Sequence, residues 1–310
     1  MHTGTSGPDI ELLRTFAVFA EHREVTATAR TLGMSASVVS RRLQELQADP
    51  PGLLTKHGNA VVLTDKGTAA LSGVVRLLRE YDHLAGRLAG RESFARTLRV
   101  AAGGGLAYTL LPLVVSDFRL SHPDVQVRVV GCRGRERIRG VAGGQFNLAM
   151  VCHDEGQVRA VAGEWVNLQS EIIREQQVVV VAAMNSKDGR TLAALSPDKP
   201  VPPEMLSKLS LLGLDEKSGI RRQLDVEFRA VGMPVPKPAV YPGGWEAARA
   251  FARHGLGAAI LPVSLIETSD SSLVTRPVFA AYRLTDRVIW PADADELTVA
   301  FVACLKSAFA

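Results

Sequence analysis

Residues 35–42 read Ser-Ala-Ser-Val-Val-Ser-Arg-Arg, which places three hydroxyls (Ser35, Ser37, Ser40) and two guanidinium groups (Arg41, Arg42) within about two helical turns. Hydroxyls and arginine forks suit phosphate oxygens and base edges, and Lys56 adds a point charge downstream. A second set of reactive side chains lies later: Cys132, Cys152 beside His153, and the series Arg133, Arg135, Arg137 and Arg139 with Glu136 among them. A cysteine next to a histidine could furnish a nucleophile. The chain nevertheless has no nucleophile elbow, phosphate loop, paired catalytic carboxylates or zincin signature. The expectation is therefore a protein that is not an enzyme, with no catalytic residue, no metal site and no cofactor. The arginine series could bind an anion, a second nucleic-acid site or an acidic partner, and a solvated helix face is the simpler reading.

The elements that position these residues can be read from the apolar pattern. Asp9 caps a helix whose inner face is Ile10, Leu13, Phe16, Ala17 and Ala20, after a small, polar stretch from Met1 to Pro8 that is expected to be loose. A second helix spans Thr26 to Leu32, Gly33 supplies a left-handed turn, and Ser35 caps a third helix through Gln47 with Val38, Val39, Leu43 and Leu46 inside. Ala29, Gly33 and Val39 have the spacing of a helix-turn-helix, which an ordinary helical hairpin shares. Two short strands, Leu53 to Lys56 and Ala60 to Thr64, joined at His57-Gly58-Asn59, form a wing-like hairpin directly afterwards and favour the former. A long helix from Lys66 to about Arg91 carries Leu71, Val74, Leu78, Tyr81, Ala85 and Leu88 as a coiled-coil seam, so a homodimer is expected.

After Ser93 the pattern becomes α/β. Strands are expected at Leu98 to Ala102, Val125 to Val129, Leu148 to Val151, Val178 to Ala183, Leu211 to Leu214 and Ala258 to Leu261, with one helix over Leu106 to Leu120 and an arginine-rich helix near 133–139. Alternation of strands and helices predicts two mostly parallel sheets. The 310 residues, 46% hydrophobic and 22% charged, suffice for several cores, and no apolar run is long enough to cross a bilayer or serve as a signal sequence. Three cysteines, an odd number, suggest reduced thiols, a cytoplasmic location and no membrane partner. A net charge of +4 permits a nucleic-acid partner without selecting one.

In order along the chain, "TATARTLGMSASVVSRRLQEL", "LLTK", "LTDKG", "LRVA", "LLPLVVSDFRLSHPDVQVRVVG", "GGQFNLAM" and "ARHGLGAAILP" resemble the segments of LysR-type transcriptional regulators. The resemblance implies an α/β protein: a winged helix-turn-helix DNA-binding domain (9–65), a dimerisation helix (66–92) and a periplasmic-binding-protein-like effector domain (96–310). Its first subdomain would hold about 96–166 and 271–310 and its second about 167–270. It also implies double-stranded promoter DNA as partner, homodimers that pair into homotetramers, and a small-molecule effector in the cleft between subdomains that modulates binding. Ser35, Ser37, Ser40 and Arg41 would face the major groove, with Arg42 and Lys56 on the backbone.

Carried over from the family, the effector positions are Gly103, Gly104, Cys132, Cys152, Gly213, Leu214, Gly244 and Trp245, with Gly243 just before. Ala36 and Asn59 stand where the family has a Gln and a basic wing tip, and two prolines stiffen Ala48 to Gly52, so the DNA preference is expected to depart from family habit. Glycines at 103–105 and Trp245 suggest an apolar or aromatic effector with an anionic group at a helix start. Two alternatives are a thiol-based sensor of oxidants or electrophiles using Cys132 and Cys152, and a ligand-binding protein with a degenerate DNA-binding head. Buried, inert cysteines are the simpler reading of the thiols, Cys304 included.

Overall fold

The structure is a computed structural model and describes residues 9–48, 51–58, 60–88, 96–163, 166–214, 216, 218–267 and 270–308. Four features expected above lie outside these residues: the segment Met1 to Pro8, Asn59, Asp49-Pro50 before the wing, and the end of the long helix beyond Leu88.

The head begins with α1 (Ile10–His22), capped by Asp9, whose carboxylate accepts from the Leu12 amide at 2.7 Å. Helix α2 (Val25–Leu32) ends at Gly33, held at φ 65°, where a side chain would be strained. Ser35 caps α3 (Ala36–Gln47). Leu12, Leu13, Phe16, Phe19, Ala29, Val39, Leu43 and Leu46 fill one core, closed by Leu53 and Leu54 at the root of the hairpin β1 (Leu54–His57) and β2 (Ala60–Leu63). In α1 the inward stripe is thus centred on Leu12 and Phe19 rather than on Ala17 and Ala20, because the larger side chains gain more by burial.

Helix α4 (Asp65–Leu88) divides the expected seam. Part of it is absorbed by the head: Leu78 is buried in that core and Leu71 and Val74 pack against it. The unpartnered apolar row is Leu77, Tyr81, Leu84 and Leu88, spaced four, three and four apart and each about half exposed or more. Arg14 holds α4 to α1 through a two-pronged bond to Asp82 at 2.6 and 3.0 Å.

The effector region starts with β3 (Arg96–Ala102). The single helix expected next is two, α5 (Gly104–Thr109) and α6 (Leu111–Ser121), with Pro112 in the first turn of the second. Then follow β4 (Val125–Gly131), α7 (Gly134–Ala142), β5 (Leu148–Val151), α8 (Glu155–Ala162) and β6 (Leu168–Gln176). One residue later β7 (Val178–Ala183) opens the second sheet, followed by α9 (Lys187–Ala193), α10 (Pro203–Leu206), α11 (Gly219–Ala230), α12 (Trp245–Arg253), β8 (Ala259–Pro262) and β9 (Leu273–Pro277). The chain returns through β10 (Leu284–Pro291) and ends in α13 (Glu296–Ser307).

The larger sheet has the order β4-β3-β5-β10-β6 and the smaller β8-β7-β9. Among the strand pairs of the described residues, β3 with β4 and β3 with β5 are parallel, whereas β10 runs antiparallel to β5 and β6, and β7 antiparallel to both neighbours. The expectation of mostly parallel sheets is corrected accordingly. Because the chain leaves one subdomain and later re-enters it, the outgoing β6 and returning β10 lie side by side in opposite directions. The expected subdomain boundaries shift with them, β6 falling in the first sheet and β9 in the second. Leu211 to Leu214, expected as a strand, makes only one isolated bridge, Leu211 with Ala258.

The first sheet is covered by α6 and α13 on one face, where Phe118 and Phe301 meet edge to face at 5.0 Å, and by α7 and α8 on the other. Near the end of α7, Gly144 sits at φ 72° so close to α4 that a Cβ there would lie 3.0 Å from Val75 and 3.1 Å from the Ser72 carbonyl. Arg76 of α4 bonds the Asp293 carboxylate at 2.5 Å and its carbonyl at 2.6 Å.

Candidate nucleic-acid interface and effector cleft

On the head, the N-terminal half of α3 faces solvent. Ser35 and Ser37 are exposed, their hydroxyls 2.9 Å apart, and the Ser35 oxygen also accepts from the Val38 amide. Ser40 is half-buried, while the Arg41 side chain is 75% exposed, with only a long 3.9 Å contact to Glu45. Lys56 and His57, on the hairpin that follows α3, are both exposed. Arg42 departs from expectation. Its guanidinium turns inward and donates to the Glu11 carbonyl, Thr15 Oγ1 and Met34 Sδ, with the Glu11 carboxylate 3.6 Å away, so it joins α3 to α1 instead of reaching outward. The row Val39, Leu43 and Leu46 fixes the inward face of α3, and Arg42 lies along its edge.

In the effector region the strand ends of the first sheet and the start of α12 converge. Gly103 caps α5 with extended backbone, and Gly104 and Gly105 open the helix. A Cβ at Gly103 would stand 3.0 Å from Arg137 Nη1, and one at Gly105 would stand 3.4 Å from Glu246 Oε1 and 3.6 Å from Trp245 Cε3. The glycine turn thus lies between α7 of one subdomain and α12 of the other. Gly244 precedes α12, and Trp245 at its first position packs against both cores of the second subdomain.

Arg137 was expected on a solvated face, and three members of its series, Arg133, Arg135 and Arg139, are exposed. Arg137 is not: Nη1 donates to the Met150 carbonyl at 2.5 Å, and its Nε is buried with no hydrogen-bond partner. Burial pulls its pKa down, opposed by Cys152, Cys132, Asp286 and Glu136. The His153 ring packs on Gly134 with Nδ1 buried and unpartnered, and burial, then Arg137, Arg222 and Arg135, lower its pKa.

Cys152 donates to Asp286 Oδ1 at 3.3 Å; burial and then that carboxylate push its thiol far up. Burial raises Cys132 as well, against the pull of Arg137. Neither is an activated thiolate. Cys304 lies on α13 and packs at the border of the first subdomain's core. Asp286, 1% exposed, is the hub of the crossing strands: Arg174 Nε and Nη2 reach it at 3.0 and 2.7 Å and Gln176 Nε2 at 2.6 Å. Arg174 and Gln176 in turn hold Ser264, in the short turn after β8. Tyr282 lies nearby, raised by burial and by Cys152.

Two expected positions fall away from the cleft. Leu214 is 6% exposed inside the second subdomain's core, and Gly213 is covered by the Tyr241 ring while its amide is spent on the Val240 carbonyl. The apolar run Leu211–Leu214 goes to packing. Glu246 and Asp286 were missed, and Arg137 was singled out only as one of a series read most simply as a solvated face. Arg137 did leave a signal, standing one residue before Ile138 and four before Val141 on the inward stripe of α7; nothing comparable marks Glu246.

Residues 10–68 match the family model described as bacterial regulatory helix-turn-helix protein, lysR family, and residues 91–310 that of the LysR substrate binding domain. Among similar curated proteins, the HTH-type transcriptional activator IlvY of Salmonella typhimurium is 25% identical over 271 residues, covering 86% of this chain and 87% of its own. CitR of Bacillus subtilis, an HTH-type transcriptional regulator, is 23% identical over 87% of this chain and 88% of its own. Among solved structures, a full-length cysteine-to-aspartate variant of OxyR from Pseudomonas aeruginosa superposes with a TM-score of 0.61 at 18% identity, covering 97% of this chain and 94% of that one. CbnR, a LysR family transcriptional regulator, does so with a TM-score of 0.52 at 18% identity over 96% and 100%. With both halves matched in order and over most of its length, the chain belongs to the LysR family of bacterial transcriptional regulators.

Proposed function

We propose that this regulator reads operator DNA with the outward face of α3, using Arg41 as the principal side chain, Ser35, Ser37 and Ser40 as hydroxyl partners, and Lys56 on the backbone. The observation that carries this reading is the 75% exposed Arg41 one turn after exposed Ser37, on the helix that in this fold enters a major groove. Arg42 is assigned to the head's own packing.

Two copies pair through Leu77, Tyr81, Leu84 and Leu88 of α4, which spaces two recognition helices for a two-fold operator, and pairs associate into tetramers. The effector binds where Gly103, Gly104, Cys132, Cys152, Gly244 and Trp245 line the space between subdomains, and biases DNA binding from there. The reaction repertoire is binding alone, with no enzymatic step, and the setting is the cytoplasm. A thiol sensor is disfavoured by the raised, hydrogen-bonded Cys152.

The test is a salt-dependent mobility shift on the promoter region beside the protein's own gene. Wild type binds at low salt, and Arg41→Ala binds about tenfold or more weakly. Should Arg41 touch phosphate rather than a base, the variant's salt slope falls by about 0.9. Absence of any shift at about 50 mM salt, where phosphate contacts are strong, overturns the reading.

A further inference from the structure

Two charged groups in the cleft are left incomplete by the fold, one from each subdomain. The Arg137 guanidinium lies against Gly103 with Nε buried and unpartnered, and among the described residues no carboxylate stands within ion-pair distance of it. Asp286, an acid that raises its pKa from a distance, is already taken by Arg174 and Gln176. An arginine cannot escape by losing its proton, so a shielded guanidinium without an anion is a standing cost that an incoming anion relieves. Across the glycine turn, Glu246 Oε1 is likewise buried without a hydrogen-bond partner, facing Gly105. Gly103 and Gly105 are two residues apart, so their Cα atoms are separated by no more than about 7.6 Å.

Besides Glu246, the groups around Gly105 are apolar, and the acid that accepts from Cys152, Asp286, is engaged by Arg174 and Gln176. Trp245 and Leu265 lie against Gly105, and His153 is held neutral by burial and by the arginines around it. Glycine at 103 and 105 leaves open the room that a Cβ would fill at each charged group.

We propose that the effector is a small zwitterion of the α-amino-acid type, its carboxylate on Arg137 and its ammonium on Glu246, with an apolar side chain against Trp245. The proposal rests on the reading of the inter-subdomain space as the effector site. It narrows that site to a ligand class and adds Arg137 and Glu246 to its residues. The bare anion expected at a helix start becomes one half of a two-ended ligand.

Thermal-shift and calorimetric titrations of the full-length protein with the twenty amino acids, each compared with its des-amino acid and its decarboxylated amine, test this directly. For leucine these partners are 4-methylpentanoate and 3-methylbutylamine. At least one amino acid should bind about tenfold or more tightly than either truncated partner. Arg137→Gln should abolish binding of both the amino acid and the des-amino acid, while Glu246→Gln should erase the preference for the amino acid over the des-amino acid. Arg137→Gln should not lower the melting temperature of the unliganded protein, since it removes an unpaired buried charge, and this separates lost binding from misfolding. The class is overturned if no amino acid binds, or if the des-amino acid binds wild type equally well. If simple carboxylates alone bind and shift the operator complex, the zwitterion is wrong while the effector site stands. If Arg137→Gln binds the amino acid like wild type, the site itself is misplaced.

Discussion

Replacing Asp286 by alanine removes one acceptor that four donors share: two from Arg174, one from Gln176 and the Cys152 thiol. The carboxylate is 1% exposed, so the loss takes the ion-pair partner from Arg174 and an acceptor from Gln176 in the seam between the subdomains. Breaking one side of a buried ion pair costs roughly 3–5 kcal/mol, and the lower end applies here because the Arg174 side chain is still one-fifth exposed and can recover some hydration. At about 2–4 °C per kcal/mol for a domain of this size, about 3 kcal/mol lowers the melting temperature by roughly 6–12 °C. Asp286→Asn keeps the volume and one acceptor oxygen and should fall between the two. All three tryptophans, Trp165, Trp245 and Trp290, lie in the effector region, so intrinsic fluorescence follows that part and leaves the head's transition out. An Asp286→Ala protein melting within about 2 °C of wild type would refute the view that this carboxylate ties the crossing strands together.

Three further outcomes are expected. His153 is held neutral by burial and by Arg137, Arg222 and Arg135, so the unfolded chain takes up its proton before the folded protein does. Stability therefore falls as pH drops from about 7 toward about 5, through the window below about 6.5, and His153→Asn should flatten that fall in chemical denaturation at each pH. Leu84→Glu, at a position 54% exposed in the single chain, should shift the protein toward monomer in analytical ultracentrifugation; an unchanged dimer would remove α4 as the pairing helix. Because its thiol is raised and bonded to Asp286, Cys152 should stay unlabelled by iodoacetamide at about pH 8 in the native protein while labelling fully in denaturant, as read by peptide mass spectrometry.

The head was legible because its signals are local. Asp9, Gly33 and Ser35 act on amides within three or four residues, and apolar spacing of three and four decides which side of each helix goes inward. Arg42 was misread since its partners, Glu11, Thr15 and Met34, depend on how α3 crosses α1. In the effector region β6 escaped notice because Leu-Gln-Ser-Glu-Ile-Ile-Arg-Glu-Gln is polar and breaks strict alternation at Ile172-Ile173; its pairing with β10 supplies what composition does not. Leu211 to Leu214 misled in the opposite direction, an apolar run that serves a core without joining a ladder. The cleft was half legible. Strand ends and the glycine turn could be placed in order, whereas Glu246 and Asp286 gain their meaning from residues more than a hundred positions away.

Gly144 has a consequence for how such proteins can be recombined. It lies two residues beyond the helix that carries Arg137, and there α4 comes within van der Waals reach of the effector region's backbone, with Arg76 and Asp293 fastening the same junction. A chimaera that grafts this head and its long helix onto another ligand-binding domain would inherit whatever side chain that domain carries at this point. Anything larger than hydrogen would meet Val75 and the Ser72 carbonyl while being forced into a left-handed backbone. The portable unit is therefore not bounded by the linker between α4 and β3. It extends across the fold to residue 144 and to Asp293, and a working biosensor built from this chain would have to carry those positions with it.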